Sequence, residues 1–134
     1  MEDIFVARVM STSLETVRAD TLVEEAAQQM LANEIGSVIV VNEDNQLEGI
    51  LTSTDFVQIV AERKPKDQTP VSTYMSRNVT TATAQETIRD AADLMVEHGF
   101  HHLPVVDEDE GVIGIVTTSD LAAYLSREET PSPD

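Results

Sequence analysis

The stretch GILTSTD, Gly49 to Asp55, returns as GIVTTSD, Gly114 to Asp120, in a chain of 134 residues. Both copies carry a glycine, two apolar residues, a run of hydroxyl side chains and a carboxylate in the same order. A constant offset of 65 positions aligns 6–60 with 71–125 without a gap, and 16 of the 55 aligned pairs are identical. Self-similarity at one fixed period indicates a tandem duplication.

The duplication predicts how the chain is organised. Repeat 1 is expected over 1–62, a charged linker with two prolines over 63–70, repeat 2 over 71–127, and a flexible acidic and proline-containing tail over 128–134. A half of about 55 residues buries little surface alone, so we expect the two halves to pack sheet against sheet. The predicted fold class is α/β (α+β), built from two pseudo-twofold βαββα repeats.

Each repeat is expected to hold two helices. In the first helix of repeat 1, Asp20 is the expected cap, and Glu24 and Glu25 lie in the first turns, where the helix dipole favours acids. Gly99 is expected to end the matching helix of repeat 2. Second helices are expected near Thr54 to Ala61 and Ser119 to Leu125. Methionines recur at equivalent positions on apolar faces and are interpreted as core residues: Met10, Met30, Met75 and Met95.

Short β-branched runs separated by acidic turns indicate one hairpin in each repeat. SVIVV and LEGILT flank NEDNQ in repeat 1, and HLPVV and VIGIVT flank DEDEG in repeat 2. A short additional strand is expected before the first helix of each repeat, around Glu15 to Arg18 and Thr80 to Thr83.

Composition excludes several classes of protein. There are 25 acidic and 8 basic residues, a formal net charge of −17, which disfavours nucleic acid and anionic membranes as partners. The absence of cysteine excludes disulfides, thiolate nucleophiles and Cys-based zinc sites. No apolar run approaches the roughly 18 residues that span a bilayer, and the N-terminus is acidic, so a cytoplasmic location is predicted.

The acidic surface admits two interpretations. It is either an ordinary solvated surface, or the sign of a salt-accumulating cytoplasm in which salt screens the self-repulsion. Lysine occurs only at Lys64 and Lys66. This scarcity leads us to predict a halophilic source.

The repeated stretches place chemistry where a strand meets a helix. Free backbone N–H groups and the helix dipole favour an anion there, and hydroxyl side chains add donors without bulk. The carboxylates of Asp55 and Asp120 can accept hydrogen bonds from the two vicinal hydroxyls of a ribose. The alternative is that Thr54, Asp55, Ser119 and Asp120 only cap helices.

The order of motifs resembles a tandem pair of CBS (cystathionine β-synthase) domains, a Bateman module. The lead-ins VMSTSLETVRADTLVEEAAQQM and YMSRNVTTATAQETIRDAADLM, the HHLPVVDED hairpin and the two G-I-[LV]-T-x-[ST]-D endings carry the resemblance. The resemblance implies clefts between repeats that bind adenosine-containing ligands, and head-to-head or head-to-tail homodimers. In such dimers, helices such as Asp20 to Asn33 and Asp90 to His98 would face a second copy of the chain. It also implies that the module regulates another protein.

By this resemblance, each cleft combines the Asp ending of one repeat with the lead-in strand of the other. The first cleft would hold Thr117, Ser119 and Asp120 with Thr16, Val17, Ile35 and Gly36. The second would hold Thr52, Thr54 and Asp55 with Thr81, Ala82, Phe100 and His101. The repeats differ at two of the relevant positions, since Gly36 aligns with His101 and Ile39 with Pro104, so the two sites need not be equivalent.

Three histidines lie within five residues: His98, His101 and His102. Without a cysteine nearby, a structural or phosphate-facing role is favoured over zinc, and His101 is the candidate phosphate neighbour. No nucleophile elbow, P-loop or fixed carboxylate pair is present.

The predicted function is therefore a non-enzymatic regulatory module. AMP, ADP, ATP, S-adenosylmethionine and NAD are candidate ligands, with no obligatory cofactor or metal. Arg8, Arg18 and Arg77, near the lead-ins, are the only basic residues placed near a ligand, and this scarcity favours a monophosphate or an S-adenosyl compound over ATP. The alternatives are a structural dimerisation module with empty or degenerate clefts, and a small metal-dependent enzyme. The protein partner is not identified by the sequence.

Overall fold

The computed structural model describes residues 4–62 and 68–129. Contacts divide the chain into two compact units, each of which takes residues from both repeats. Unit 1 consists of Met1–Ser13, Thr80–Asp109 and Ile113–Asp134, and unit 2 consists of Leu14–Val79 and Glu110–Val112. The units therefore cut across the repeats that the offset of 65 defines along the chain.

Unit 2 is built on the three-stranded sheet β1-β2-β3, in which β1 runs parallel to β2 and β2 antiparallel to β3. Its helices cover a core that includes Val38, Val40 and Leu51, all fully buried. The elements of unit 2 are β1 (Thr16–Val17), α2 (Val23–Asn33), β2 (Ser37–Val41), β3 (Leu47–Thr52), α3 (Ser53–Glu62) and a 3-10 turn, Val71–Thr73.

Unit 1 is built on the two-stranded sheet β4-β5 and a core that includes Val6, Leu103 and Val116. Its elements are α1 (Val6–Val9), α4 (Ile88–His98), β4 (His102–Asp107), β5 (Gly111–Thr117, whose first two residues count with unit 2) and α5 (Thr118–Glu129). The mixed α/β fold with two hairpins, predicted from the sequence, is confirmed.

The lead-in of each repeat packs onto the hairpin of the other repeat, and this explains the repeated glycine. In unit 2, Ser76 exchanges two backbone hydrogen bonds with Ile50, at 2.9 and 3.1 Å. A Cβ on Gly49 would lie 2.7 Å from Met75 Sδ. In unit 1, Ser11 pairs with Ile115 in the same way, and a Cβ on Gly114 would lie 2.9 Å from Met10 Sδ. Only glycine allows this approach.

The prediction that the repeated methionines are core residues is confirmed. Met30 and Met75 are buried in the core of unit 2, and Met95 is buried in the core of unit 1, against which Met10 packs. The flexible thioethers of Met10 and Met75 fill the space beside the close backbone contacts at Gly114 and Gly49.

The predicted cap at Asp20 is wrong. Helix α2 begins at Val23, its N-cap is Leu22, and no side chain caps it. The Val23 N–H instead donates to the Thr69 carbonyl at 2.9 Å. A backbone group distant in sequence therefore satisfies a donor that a local cap would otherwise serve.

The strand expected at Thr80 to Thr83 is reduced to a single parallel bridge between Ala82 and Val105. In repeat 1 the Ile39 N–H donates to the Glu15 carbonyl at 3.2 Å, and β1 forms. Pro104 stands at the position equivalent to Ile39 and has no N–H to donate, so the second ladder is shorter.

The ends of the helices agree with the sequence in most cases. Gly99 ends α4 with φ +71°, as predicted. Helix α3 starts and ends one residue beyond the predicted range, and α5 continues to Glu129, into the expected tail. Residues 63–67 of the expected linker and 130–134 of the tail lie outside the described residues.

Candidate functional site

The Thr–Asp turn at the start of α5 forms a reciprocal capping box in unit 1. The Thr117 N–H donates to Asp120 Oδ2 at 2.9 Å, and the Asp120 N–H donates to Thr117 Oγ1 at 3.1 Å. This arrangement satisfies two of the N–H groups at the start of the helix. The capping role considered from the sequence is therefore present.

The equivalent turn at the start of α3 in unit 2 forms half of this pattern. The Thr52 N–H donates to Asp55 Oδ2 at 2.8 Å, and the Thr52 hydroxyl lies 3.4 Å from the same oxygen. Among the described residues, Oδ1 of Asp55 and Oδ1 of Asp120 accept no hydrogen bond. Since both carboxylates are half-buried, each turn keeps one charged acceptor available.

Each turn is also tied to the residue that precedes its own hairpin. The Thr118 N–H donates to the His101 carbonyl at 3.1 Å in unit 1, and the Ser53 N–H donates to the Gly36 carbonyl at 3.1 Å in unit 2. Sequence reasoning missed Ser53 and Thr118 because it considered their side chains, whereas their backbone N–H groups position the turn.

The predicted site residues divide between the units. Unit 2 contains Thr16, Val17, Ile35, Gly36, Thr52, Thr54 and Asp55, and unit 1 contains Thr81, Ala82, Phe100, His101, Thr117, Ser119 and Asp120. The side chains of Thr54 and Ser119 are exposed, whereas Val17 and Ala82 are buried. The clefts implied by the family resemblance draw on residues of both units, and that pairing stays a prediction.

The histidines take separate positions in unit 1. The ring of His98 stacks on Phe100 with centroids 5.6 Å apart. Burial lowers the pKa of His102, the charge of neighbouring His101 lowers it further, and the Asp120 carboxylate acts in the opposite direction. Within 4–62 and 68–129, no three His, Asp or Glu side chains group as metal ligands would.

A cavity of about 210 Å³ lies between α1 and α5, within unit 1. It is lined by Arg8, Val9, Asp120, Ala123, Tyr124 and Arg127. Sequence reasoning named Arg8 as a basic candidate but missed Arg127. The available signal was the spacing of Asp120, Ala123, Tyr124 and Arg127, which places them on one face of a helix.

None of the helices in the described part of the chain combines the length and the apolar character that a membrane span requires.

The family model described as "CBS domain" matches residues 6–62 and 71–127. An uncharacterized 17.7 kDa protein of Acidianus ambivalens is 32% identical over 120 residues, which cover 90% of this chain and 72% of that protein. Homoserine O-acetyltransferase of Methanohalobium evestigatum is 32% identical over 121 residues, which cover 90% of this chain and only 24% of the enzyme.

A solved structure with the same fold carries adenosine compounds. It is the CBS domain pair of protein MJ0100, described in complex with 5′-methylthioadenosine and S-adenosyl-L-methionine. It is 27% identical to this chain with a TM-score of 0.86, and the match covers 96% of this chain and all of that one.

Proposed function

Because the chain belongs to the CBS domain family and carries two of these domains in tandem, we propose that it is a regulatory module for an adenosine-containing ligand. The carboxylate of Asp120 carries this proposal. Its Oδ2 holds the start of α5, and its Oδ1 accepts no hydrogen bond from the described residues. Asp55 repeats the arrangement at the start of α3.

The chemistry of these turns suits a ribose. Two vicinal hydroxyls present two donors, and a carboxylate with an available oxygen accepts them through charge-assisted hydrogen bonds, which are roughly twice as strong as neutral ones. Because Oδ2 is held by a backbone N–H, the carboxylate is fixed in orientation before the ligand arrives, which lowers the entropy lost on binding.

Two further findings support an adenosine ligand and a regulatory role. The CBS domain pair of MJ0100 was solved with two adenosine compounds, and the segment that matches this chain covers 24% of a relative named homoserine O-acetyltransferase. We propose that ligand binding stabilises one arrangement of the module and that a partner protein recognises it, since a ligand shifts an equilibrium by its differential affinity for two states.

Thermal unfolding with candidate ligands tests the proposal. A true ligand at 100 times its dissociation constant is expected to add about 2.7 kcal/mol to the unfolding free energy. AMP, ADP, ATP, S-adenosylmethionine, 5′-methylthioadenosine and NAD would each be added separately, with guanosine monophosphate as the matched control. Unchanged melting temperatures with all six adenosine compounds would contradict the proposal.

A structural dimerisation module is the second candidate, and one observation favours it. Leu31 on α2 and Val96 on α4, related by the offset of 65, are exposed to 80% and 84%. Apolar side chains so exposed at equivalent positions fit the homodimer contact that was predicted from the sequence for these helices. In this reading the Thr–Asp turns only cap α3 and α5.

Substitution of these two residues tests the dimer. Leu31→Glu combined with Val96→Glu is expected to convert a dimer to a monomer, because it places charges in an apolar contact. Val57→Glu is the matched control, since Val57 on α3 is 71% exposed. Light scattering measures the mass of the particle in solution. The measurement is made in 1 M salt, where the Debye length is about 3 Å, so that repulsion between the acidic copies does not itself separate a dimer. A monomeric wild-type protein under these conditions would contradict the homodimer.

A further inference from the structure

A side-chain hydrogen bond joins the start of strand β1 to helix α2 in unit 2. Gln29 Nε2 donates to Glu15 Oε2 at 2.8 Å, and both side chains are half-buried. A hydrogen bond to an ionised carboxylate is roughly twice as strong as one between neutral groups. Neither residue is among the predicted site residues, yet the two directly precede and support the strand that carries Thr16 and Val17.

The main chain of Glu15 is held as well. Its carbonyl accepts from the Ile39 N–H at 3.2 Å, and Ile39 is only 1% exposed in the middle of β2. Glu15 is therefore fixed through both its backbone and its side chain at the point where β1 begins.

Strand β1 lies at the edge of its sheet, whose order is β1-β2-β3. Because Thr16 pairs with Ile39 in the parallel register and the Ile39 N–H reaches the Glu15 carbonyl, the backbone polar groups of Thr16 point away from β2. An edge strand offers such N–H and C=O groups at a fixed spacing to whatever approaches it. How well this edge binds a ligand depends on how firmly β1 is held.

Repeat 2 lacks both attachments at the equivalent place. By the offset of 65, Gln29 is matched by Leu94, which packs against the core of unit 1, and Glu15 is matched by Thr80. Pro104 has no N–H to offer the Thr80 carbonyl, which accepts no hydrogen bond within the described residues. A strand forms where the two attachments are present, and a single bridge where they are absent.

We propose that Glu15 and Gln29 are positioning residues that hold the β1 edge in its binding geometry before a ligand arrives. The inference rests on the proposed function and deepens it, because it assigns the adenosine-binding edge of repeat 1 a preformed state that repeat 2 lacks. A preformed edge avoids the entropy lost when a segment is ordered on binding. If β1 is in place in only a fraction of the molecules, the apparent affinity falls by that fraction.

Calorimetric titration of the full chain with AMP and with 5′-methylthioadenosine tests this inference. Gln29→Leu installs the residue of repeat 2 and is expected to weaken both compounds about tenfold at one site, because the β1 edge meets the adenosine that they share. Glu15→Gln keeps an oxygen acceptor for Gln29 Nε2, so its affinities are expected to stay within about threefold of wild type. Gln28→Leu is the matched control: it makes the same exchange at an exposed neighbouring position of α2, and binding is expected to stay unchanged.

Amide hydrogen exchange of the ligand-free protein distinguishes local positioning from general stability. In Gln29→Leu, the Ile39 N–H, whose acceptor is the Glu15 carbonyl, is expected to exchange about tenfold faster. The Ile50 N–H, which donates to the Ser76 carbonyl at 3.1 Å in the same unit, is expected to keep its rate.

Four results would overturn the inference. Unchanged affinity of Gln29→Leu for both compounds, even with a lower melting temperature, would leave the pair a structural role only and the proposed function intact. Equal acceleration of the Ile39 and Ile50 amides would show that the substitution destabilises unit 2 as a whole. An equal loss of affinity in Gln28→Leu would assign the effect to α2 in general. Failure of wild type to bind these two or any other adenosine compound would overturn both the inference and the proposed function.

Discussion

Gly111→Ala is expected to lower the unfolding free energy by about 2–5 kcal/mol. Gly111 has φ +77°, and a Cβ built there would lie 2.1 Å from the Asn45 carbonyl oxygen. The left-handed backbone costs a residue with a Cβ about 1–2 kcal/mol, and forcing an atom into a packed contact costs about 1–3 kcal/mol. Asn45 cannot move away freely, because its Nδ2 donates to the Glu110 and Val112 carbonyls at 2.9 and 2.8 Å.

The Asn45 backbone is held as well. Its carbonyl oxygen accepts from the Val112 N–H at 3.0 Å, and Asn45 itself has φ +63°. Moving the Asn45 backbone to make room for a methyl group would therefore break these hydrogen bonds.

Gly99→Ala is the matched control for this prediction. Gly99 has φ +71°, but nothing lies within 4 Å of the position of its missing Cβ. The expected loss is about 1–2 kcal/mol, from the backbone conformation alone. Urea unfolding of both variants gives the comparison, and since both exchange Gly for Ala, the change in unfolded-chain entropy is the same for each. Equal losses at the two positions would show that the contact with Asn45 does not contribute.

Asp120→Asn is expected to weaken binding of an adenosine ligand by about 10-fold to 100-fold, a loss of roughly 1.5–3 kcal/mol. The amide oxygen of asparagine can still accept from the Thr117 N–H, so the start of α5 is kept. The amide nitrogen then replaces the available carboxylate oxygen, and a donor faces the ribose hydroxyls where a charged acceptor was. The unfolding free energy is expected to fall by no more than about 2 kcal/mol, since that is the most by which the helix dipole favours a partly buried charge.

Two controls distinguish a role of Asp120 in ligand binding from a role in helix capping alone. A 2′-deoxy ligand is expected to bind wild type weakly and to lose little more on Asp120→Asn, because the hydroxyl that the carboxylate binds is already missing. Asp55→Asn is expected to affect the other site and to leave the Asp120 site largely intact. Calorimetric titration measures all of these affinities. Equal losses for ribose and deoxyribose ligands would assign Asp120 a capping role only.

The sequence alone was sufficient for the features that depend on local pattern. The offset of 65 predicted two repeats with the same order of elements, which holds except for the first strand of repeat 2; the β-branched runs predicted both hairpins, and Gly99 predicted the end of α4. The repeated G-I-[LV]-T-x-[ST]-D stretches predicted that strand, turn and helix would follow one another at Asp55 and Asp120. These features are readable because periodicity and turn chemistry act between residues that are close along the chain.

Tertiary structure decided everything that depends on residues distant in sequence. The Thr69 carbonyl replaced Asp20 as the partner of the first turn of α2, and Pro104 shortened the strand at Ala82 because it offers no N–H. Arg8 and Arg127, 119 positions apart, line one cavity.

The glycines show the same division between local and distant causes. In the sequence, Gly49 and Gly114 are only part of a repeated motif. The structure shows why glycine is needed there: Met75 and Met10 approach Gly49 and Gly114 closely, and each methionine belongs to the lead-in of the other repeat. Gly111 has no glycine at the equivalent position of repeat 1, where Gln46 stands. Glycine is required at this position because the folded chain brings it into contact with the Asn45 backbone. A backbone approach of this kind leaves no periodic pattern in the sequence, because it is set by which segments the hydrophobic core brings together.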